Sequence, residues 1–253
     1  MKISLSIFYF SLVLFFASCE DKESSSKNAS EKPSEKEEVT QKNSKLDSLK
    51  AKYSKAEEAS NENDSLQTNE EFPIAQEELI PFLTQYGKEN PETRVRILTS
   101  FGNIEVELYR DTPLHRANFI MLVKEGYFNS TFFHRVAPGF VIQGGNSDNS
   151  ATPRKRTEVG RYLIPSEFDA GHKHSYGAFS AAKYSEQNVS KASSPFEFFI
   201  VTKEDGTPHL DNDHTVFGRV TKGMEVAEEI AKVETGQSEW PIDNVEIDVE
   251  IVD

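Results

Sequence analysis

The chain has 253 residues, 36% of them hydrophobic, which is enough apolar material for one ordinary domain with additional segments around it. Its formal charge of −14 supplies no basic face for a phosphate backbone, so nucleic acid is excluded as a partner. With Cys19 as the single cysteine, neither an internal disulfide nor a thiolate metal cluster can form.

The first elements are not part of a globular core. Met1-Lys2 opens the chain, Ile3 to Phe16 is apolar, and Ala17-Ser18-Cys19 precedes Glu20-Asp21. A charged start, a short apolar run and small residues before a cut site describe a secretory signal over residues 1–18. The run is shorter than the roughly 20 residues of a spanning helix. The cysteine at the cut position resembles a bacterial lipoprotein signal, with Phe16 where leucine is usual. That resemblance implies a lipidated Cys19, membrane attachment, and a bacterial envelope location, the outer membrane in particular, with the domain outside the cytoplasm. An uncleaved anchor or simple secretion is the alternative.

Residues 19–71 form the lipidated cysteine and a charged tether. Between Glu20 and Glu71 there are 14 acidic residues against 9 lysines, a net of −5, and too few aliphatic side chains to offset chain entropy. Leu46, Leu49 and Tyr53 allow a transient helix within residues 44–58. As a coil, the tether would span roughly 40 Å, enough to hold a domain clear of a membrane.

Residues 72–92 read as a helical extension: Ile74, Leu79, Ile80, Phe82, Leu83 and Tyr86 are periodic from Phe72 to Tyr86, interrupted by Pro73 and Pro81. From residue 93 onward the pattern is mainly strand. Val95, Ile97 and Thr99 alternate, Phe101-Gly102-Asn103 makes a turn, and Ile104 to Leu108 alternates again, giving a hairpin. A helix begins at Pro113, capped by Asp111 or Thr112 and stopped by Gly126. Further strands centre on Phe198–Thr202, Val216–Val220 and Val245–Val252, and a second helix on Met224–Ile230. Gly171-His172-Lys173-His174 offers two histidines two apart. Without further ligands nearby it reads as a solvated loop rather than a metal site.

The run Phe132 to Asn146 (FFHRVAPGFVIQGGN) carries the chemistry. Phe133, Arg135, Val141 and Gln143 occupy odd positions on either side of Pro138-Gly139. If the chain doubles back at that turn, Arg135 and Gln143 share one sheet face beside apolar side chains. A fixed cation and an amide over an apolar floor suit a peptide carbonyl and an apolar ring. No nucleophile or carboxylate pair of a hydrolase is present.

This run resembles the signature of the cyclophilins, the cyclosporin-type peptidyl-prolyl cis-trans isomerases. The resemblance continues in order through Tyr162–Phe168, Gly177–Ala182, Lys191–Ser194, Phe198–Thr202 and His214–Val220, covering residues 93–253. It implies a closed antiparallel eight-stranded barrel capped by two helices, acting as a monomer on unfolded or looped Xaa-Pro polypeptide without cofactor or metal. It implies catalytic roles for Arg135, as donor to the prolyl nitrogen, and for Gln143, Phe140 and His214. It also implies a substrate-binding surface of Val141, Ala182, Lys183, Glu197, Phe199, His209 and Leu210. His134 is structural in this reading.

Two departures bear on specificity. His209 stands where many cyclophilins carry the tryptophan that contacts cyclosporin, which implies weaker inhibition by that drug. Pro195-Phe196-Glu197 replaces the usual Gly-Ser-Gln, placing an acceptor-only carboxylate beside the groove, where it would disfavour acidic peptides. The functional expectation is assisted folding of envelope proteins. The alternatives are a non-catalytic proline-peptide-binding or holdase module, and a surface protein whose acidic tether binds a partner.

Overall fold

The structure, a computed structural model, describes residues 72–129, 131–184 and 189–252. The expected signal, Cys19 and tether lie outside the described residues. Eight strands close into an antiparallel barrel: β1 Arg94–Thr99, β2 Gly102–Leu108, β3 Thr131–Ala137, β4 Val141–Asn146, β5 Ala178–Ala181, β6 Phe198–Val201, β7 Val216–Lys222 and β8 Glu246–Ile251. Their order around the barrel is β1-β2-β7-β5-β6-β4-β3-β8. Closure removes every free sheet edge.

Beside the expected helical extension and the two expected barrel helices, the described residues carry a fourth helix: they are α1 Leu79–Glu89, α2 Pro113–Lys124, α3 Ala151–Val159 and α4 Met224–Ile230. The unforeseen element is α3. It has almost no apolar stripe, burying only Thr152 and Val159. Its start is built from polar side chains: Asn149 Oδ1 accepts from the Ala151 N–H, and Ser147 Oγ lies 2.6 Å from Thr152 Oγ1. Pro153 falls in the first turn, where a missing N–H costs nothing.

The same logic moves α1. Pro81 does not interrupt it, because it occupies the third helical position. Residues before Leu79 are held otherwise: the Ile74 N–H donates to the Val159 carbonyl, and the Gln76 amide exchanges two hydrogen bonds with the Leu163 backbone. Leu79, Leu83 and Gly87 then give α1 a buried face.

The α2 start also departs from expectation. Thr112 is the capping residue by position, but its hydroxyl turns back to the Tyr109 carbonyl. The carboxylate of Glu167 instead accepts from the Leu114 and His115 N–H groups at 3.0 Å each. A carboxylate there satisfies orphan donors and complements the helix dipole. In the first hairpin the reversal falls at Ser100-Phe101, one residue ahead of the expected turn, because Thr99 pairs with Gly102.

Two apolar clusters fill the fold. The large one occupies the barrel and the undersides of the helices, with Phe133, Phe179, Phe198 and Ile200 at its middle. The small one comprises Ala137, Val141, Ala178, Ala182, Phe199, Val201 and Val216, with Tyr109, Phe140 and Leu210 partly buried against it. Phe198 and Ile200 belong to the large cluster, Phe199 and Val201 to the small one. Since successive strand residues face opposite sides, the small cluster lies on the outer surface of the barrel wall. That outer patch is the site.

Candidate active site

The turn between β3 and β4 sets the site. Phe140 N–H donates to the Ala137 carbonyl at 3.0 Å, with Pro138 and Gly139 as the central residues. Gly139 has φ +66°, which a side chain would resist, and proline followed by such a glycine is the sequence of a type II turn. Antiparallel pairing then sets Arg135 opposite Gln143. Directly opposed residues share a face, so the arginine and the amide stand side by side.

The expected alternation holds for Arg135, Val141 and Gln143 but not for Phe133. The register shifts between Phe133 and Arg135, leaving His134 as an extra residue. A bulge of this kind re-aims the strand. Phe133 consequently turns into the large core, and Arg135 faces outward. Gly145, at the end of β4, has φ +95°, and a Cβ there would meet the Phe196 carbonyl oxygen at 2.2 Å.

Arg135, Phe140, Val141 and Gln143 line one side of a cavity of about 170 Å³. Ala182, Lys183, Phe199, Leu210 and His214 line the other. Of the eleven residues singled out from sequence, these nine converge. The other two stand beside the cavity. His209 is exposed and stacks on Phe140 with ring centroids 5.6 Å apart and planes 13° apart. Glu197 lies beneath Gln143.

Glu197 is not a free acceptor in the groove. Its side chain is 10% exposed, its Oε1 takes a hydrogen bond from Arg156 at 2.9 Å, and its Oε2 takes one from Gln143 Nε2 at 3.0 Å. Burial alone would raise this carboxyl, but His134 and Arg156 outweigh it and hold it below its ordinary value. The repulsion of acidic peptides expected from an open carboxylate therefore loses its basis. Because a carboxylate only accepts, it fixes the Gln143 amide with its NH₂ inward. The amide oxygen of Gln143 is left to accept a peptide N–H.

The far wall is braced from behind. His174, expected in a solvated loop, is buried and stacks under Phe199 at 5.8 Å and 13°. Its ring nitrogens lie 2.9 Å from Asp211 Oδ1 and 3.0 Å from Ser180 Oγ. Desolvation lowers the His174 pKa, with Asp211 opposing. His172, the other member of that pair, lies against Tyr109 and Asp111. Among the described residues no group of three or more His, Cys, Asp or Glu is placed to hold a metal ion.

His214 Nδ1 lies 3.1 Å from the Ala181 carbonyl, so that nitrogen carries the proton and Nε2 is an acceptor. Desolvation lowers its pKa, which keeps the ring neutral near pH 7. Lys183 turns its ammonium away, 2.7 Å from Asp213 Oδ2, with its side chain 3% exposed. The Ala182 N–H donates to the Glu197 carbonyl, and its own carbonyl accepts from Ser194. Ala182 thus supplies a small wall whose own backbone groups are already paired.

Sequence reasoning missed Arg156, His174 and Glu239, whose carboxylate lies 2.7 Å from Arg135 Nε. Arg156 belongs to the unforeseen helix, and His174 gave no apolar context. Glu239 lies more than a hundred residues downstream of Arg135, with no spacing to betray it. Taken together, the cavity presents one cationic donor, one amide oxygen and a neutral imidazole around an apolar slot. It can bind a small ring and an extended backbone, and among its described lining residues none is a general acid poised for proton transfer.

A family model described as "Cyclophilin type peptidyl-prolyl cis-trans isomerase/CLD" matches residues 94–251. The chain is 38% identical over 157 residues to the peptidyl-prolyl cis-trans isomerase A of Dickeya dadantii, covering 60% of this chain and 78% of that protein. It is 34% identical over 156 residues to the peptidyl-prolyl cis-trans isomerase-like 1 of Gibberella zeae, covering 61% and 91%. Among solved structures it resembles a Cryptosporidium parvum cyclophilin type peptidyl-prolyl cis-trans isomerase, crystallised in the presence of the dipeptide Ala-Pro. That match has 28% identity and a TM-score of 0.53, covering 63% of this chain and 99% of the other.

Proposed function

The chain belongs to the cyclophilin-type peptidyl-prolyl cis-trans isomerases, and from that premise we propose how its residues accelerate Xaa-Pro rotation and where the protein works. The barrier to rotation, near ~20 kcal/mol, comes from amide resonance. In the twisted transition state the prolyl nitrogen becomes pyramidal and gains a lone pair. Arg135 donates a hydrogen bond to that nitrogen, an interaction absent from the planar ground state and so one that lowers the barrier. Its guanidinium suits the task, being always charged and rigid.

Phe140, Val141, Phe199 and Leu210 take the proline ring and exclude water. The Gln143 oxygen accepts from the substrate backbone, and the Lys183 backbone pairs with it. His214 shapes the rim as a neutral ring, because rotation transfers no proton. The single observation that carries this reading is Arg135 and Gln143 set opposite each other beside that apolar slot.

The substrates are unfolded or looped Xaa-Pro polypeptides, and the setting is the bacterial envelope, with Cys19 lipidated and the domain on its charged tether. The apolar run ending at Ala17-Ser18-Cys19 and the acidic residues after it support that location. Among the described residues no helix is long and apolar enough to cross a membrane.

The test is the cis-to-trans rate of an Xaa-Pro peptide with the protein and its Arg135→Ala variant. A folded variant that loses about 10²–10³-fold in kcat/KM supports the donor role. No acceleration by the folded wild-type protein would leave a proline-binding module as the better account. Membrane recovery of the protein, lost in Cys19→Ser, tests the anchor.

A further inference from the structure

Glu239 sits on a short loop that touches β3 twice. Its carboxylate oxygen Oε2 lies 2.7 Å from Arg135 Nε. The next residue, Trp240, packs its indole against His134 with centroids 5.7 Å apart. His134 is the bulged residue that turns Arg135 outward, so the loop braces both the bulge and the side chain it re-aims.

The loop itself is tightly built. Gly236 N–H donates to the Trp240 carbonyl at 2.8 Å, Ile242 N–H to the Glu234 carbonyl at 2.9 Å, and Trp240 Nε1–H to Asn244 Oδ1 at 3.0 Å. Ser238 and Glu239 nonetheless hold φ of +62° and +61°. Two successive side-chain-bearing residues in the left-handed region are disfavoured, and persist where surrounding structure enforces them, often at functional sites.

The pair is half-exposed, with 36% of the Arg135 side chain and 45% of the Glu239 side chain accessible. Such a pair contributes little to folding. Its geometric consequence is larger. A carboxylate at Nε restrains the guanidinium by its inner edge and leaves the terminal nitrogens for a ligand. We infer that Glu239 is the positioning residue of Arg135, a remote carboxylate that fixes the guanidinium for the prolyl nitrogen.

This rests on Arg135 as the donor, and a double-mutant cycle separates the two ideas. Rates of Xaa-Pro isomerisation would be measured on the full chain with Glu239→Ala, Glu239→Gln, Arg135→Ala and the Arg135→Ala/Glu239→Ala pair. Misplacing a catalytic group costs up to about a hundredfold. Glu239→Ala is therefore expected to lose about tenfold in kcat with KM within about twofold, and Glu239→Gln, which keeps the shape of the side chain but not the charge of the ion pair, to lose less than Glu239→Ala. The double variant should match Arg135→Ala alone.

High salt should slow the wild type more than Glu239→Gln, since an exposed pair is screened. Trp240 is the chain's one tryptophan, so an unchanged emission spectrum shows that the loop stays folded in each variant. Multiplicative losses in the double variant, wild-type rates in Glu239→Ala, or faster turnover on removing the carboxylate would each overturn the inference. An Arg135→Ala protein as fast as wild type would instead refute the donor role itself.

Discussion

Glu197 shows how one buried charge reaches the chemistry through a neighbour. Its carboxylate is shared between Arg156 and Gln143, and the Gln143 amide takes its direction from that acceptor. Arg156 is held in turn by its hydrogen bonds to Tyr127 and the Gly145 carbonyl. Arg156→Ala removes the permanently charged partner of a buried carboxylate and should cost about 3 kcal/mol, the lower end of what breaking a buried pair costs, read as the free energy of urea unfolding. Glu197→Gln removes the charge itself and should destabilise much less. It also frees Gln143 to turn over, since an amide partner can donate as well as accept. The expected kinetic result is a several-fold higher KM for peptide with kcat little changed, because substrate backbone binding weakens while Arg135 is untouched. If Glu197→Gln instead lowered kcat alone, Glu197 would be acting on the transition state and this account of Gln143 would fail.

At the scale of elements, α1 is bound to the barrel by more than its apolar face. Arg116, buried on α2, donates to the carbonyls of Gly87, Asn90 and Glu92 at the end of α1 and just beyond it. Leu83→Ala should cost about 2–5 kcal/mol, as is usual for a buried leucine, while leaving the rate per folded molecule unchanged. Deleting residues 72–92 should cost more, because it also strands the Arg116 guanidinium without those acceptors. Thermal melts of the two variants beside their isomerisation rates would check both statements. The hairpin and the later strands were legible in the sequence from their strand-like apolar composition, and α2 from the Pro113 and Gly126 that bound it. The convergence of nine site residues was legible through the ordered motifs, which alone separated Phe199 and Leu210 from ordinary core positions. What was not legible has a common physical cause. The start of α3 rests on side-chain hydrogen bonds rather than an apolar stripe, Glu167 caps a helix some fifty residues upstream, and Glu239 meets Arg135 from more than a hundred residues downstream. These are long-range polar contacts, and no local pattern announces them. The bulge at His134 reversed one side chain for a similar reason, since a single extra residue changes which face Phe133 takes.

For the molecule as a whole, the histidines behind and beside the pocket couple folding to pH. Burial lowers the pKa of both His174 and His214 below the ordinary 6.5. A histidine with a folded-state pKa below its unfolded value binds protons more readily when unfolded. Stability is therefore complete above about pH 6.5 and declines as pH falls through that value, the unfolded chain taking up protons that the native pocket resists. Glu197, Asp211 and Asp213 act in the same sense at lower pH. Each is depressed in the folded protein, so the stabilisation it gives is present above its ordinary value and is lost as pH falls through the folded one. Acid unfolding should consequently run in two stages, a first loss setting in below about pH 6.5 from the imidazoles and a steeper one below about pH 4.5 from the carboxylates. Urea unfolding from pH 8 to pH 3 would resolve them. His214→Gln should flatten the first stage and leave the second. Replacing His174 should do the same at a greater cost in stability at pH 8, because its ring also supports Phe199 and engages Asp211. A first stage that persists undiminished when both histidines are replaced would place the acid sensitivity elsewhere and refute the assignment of neutral buried imidazoles to the pocket.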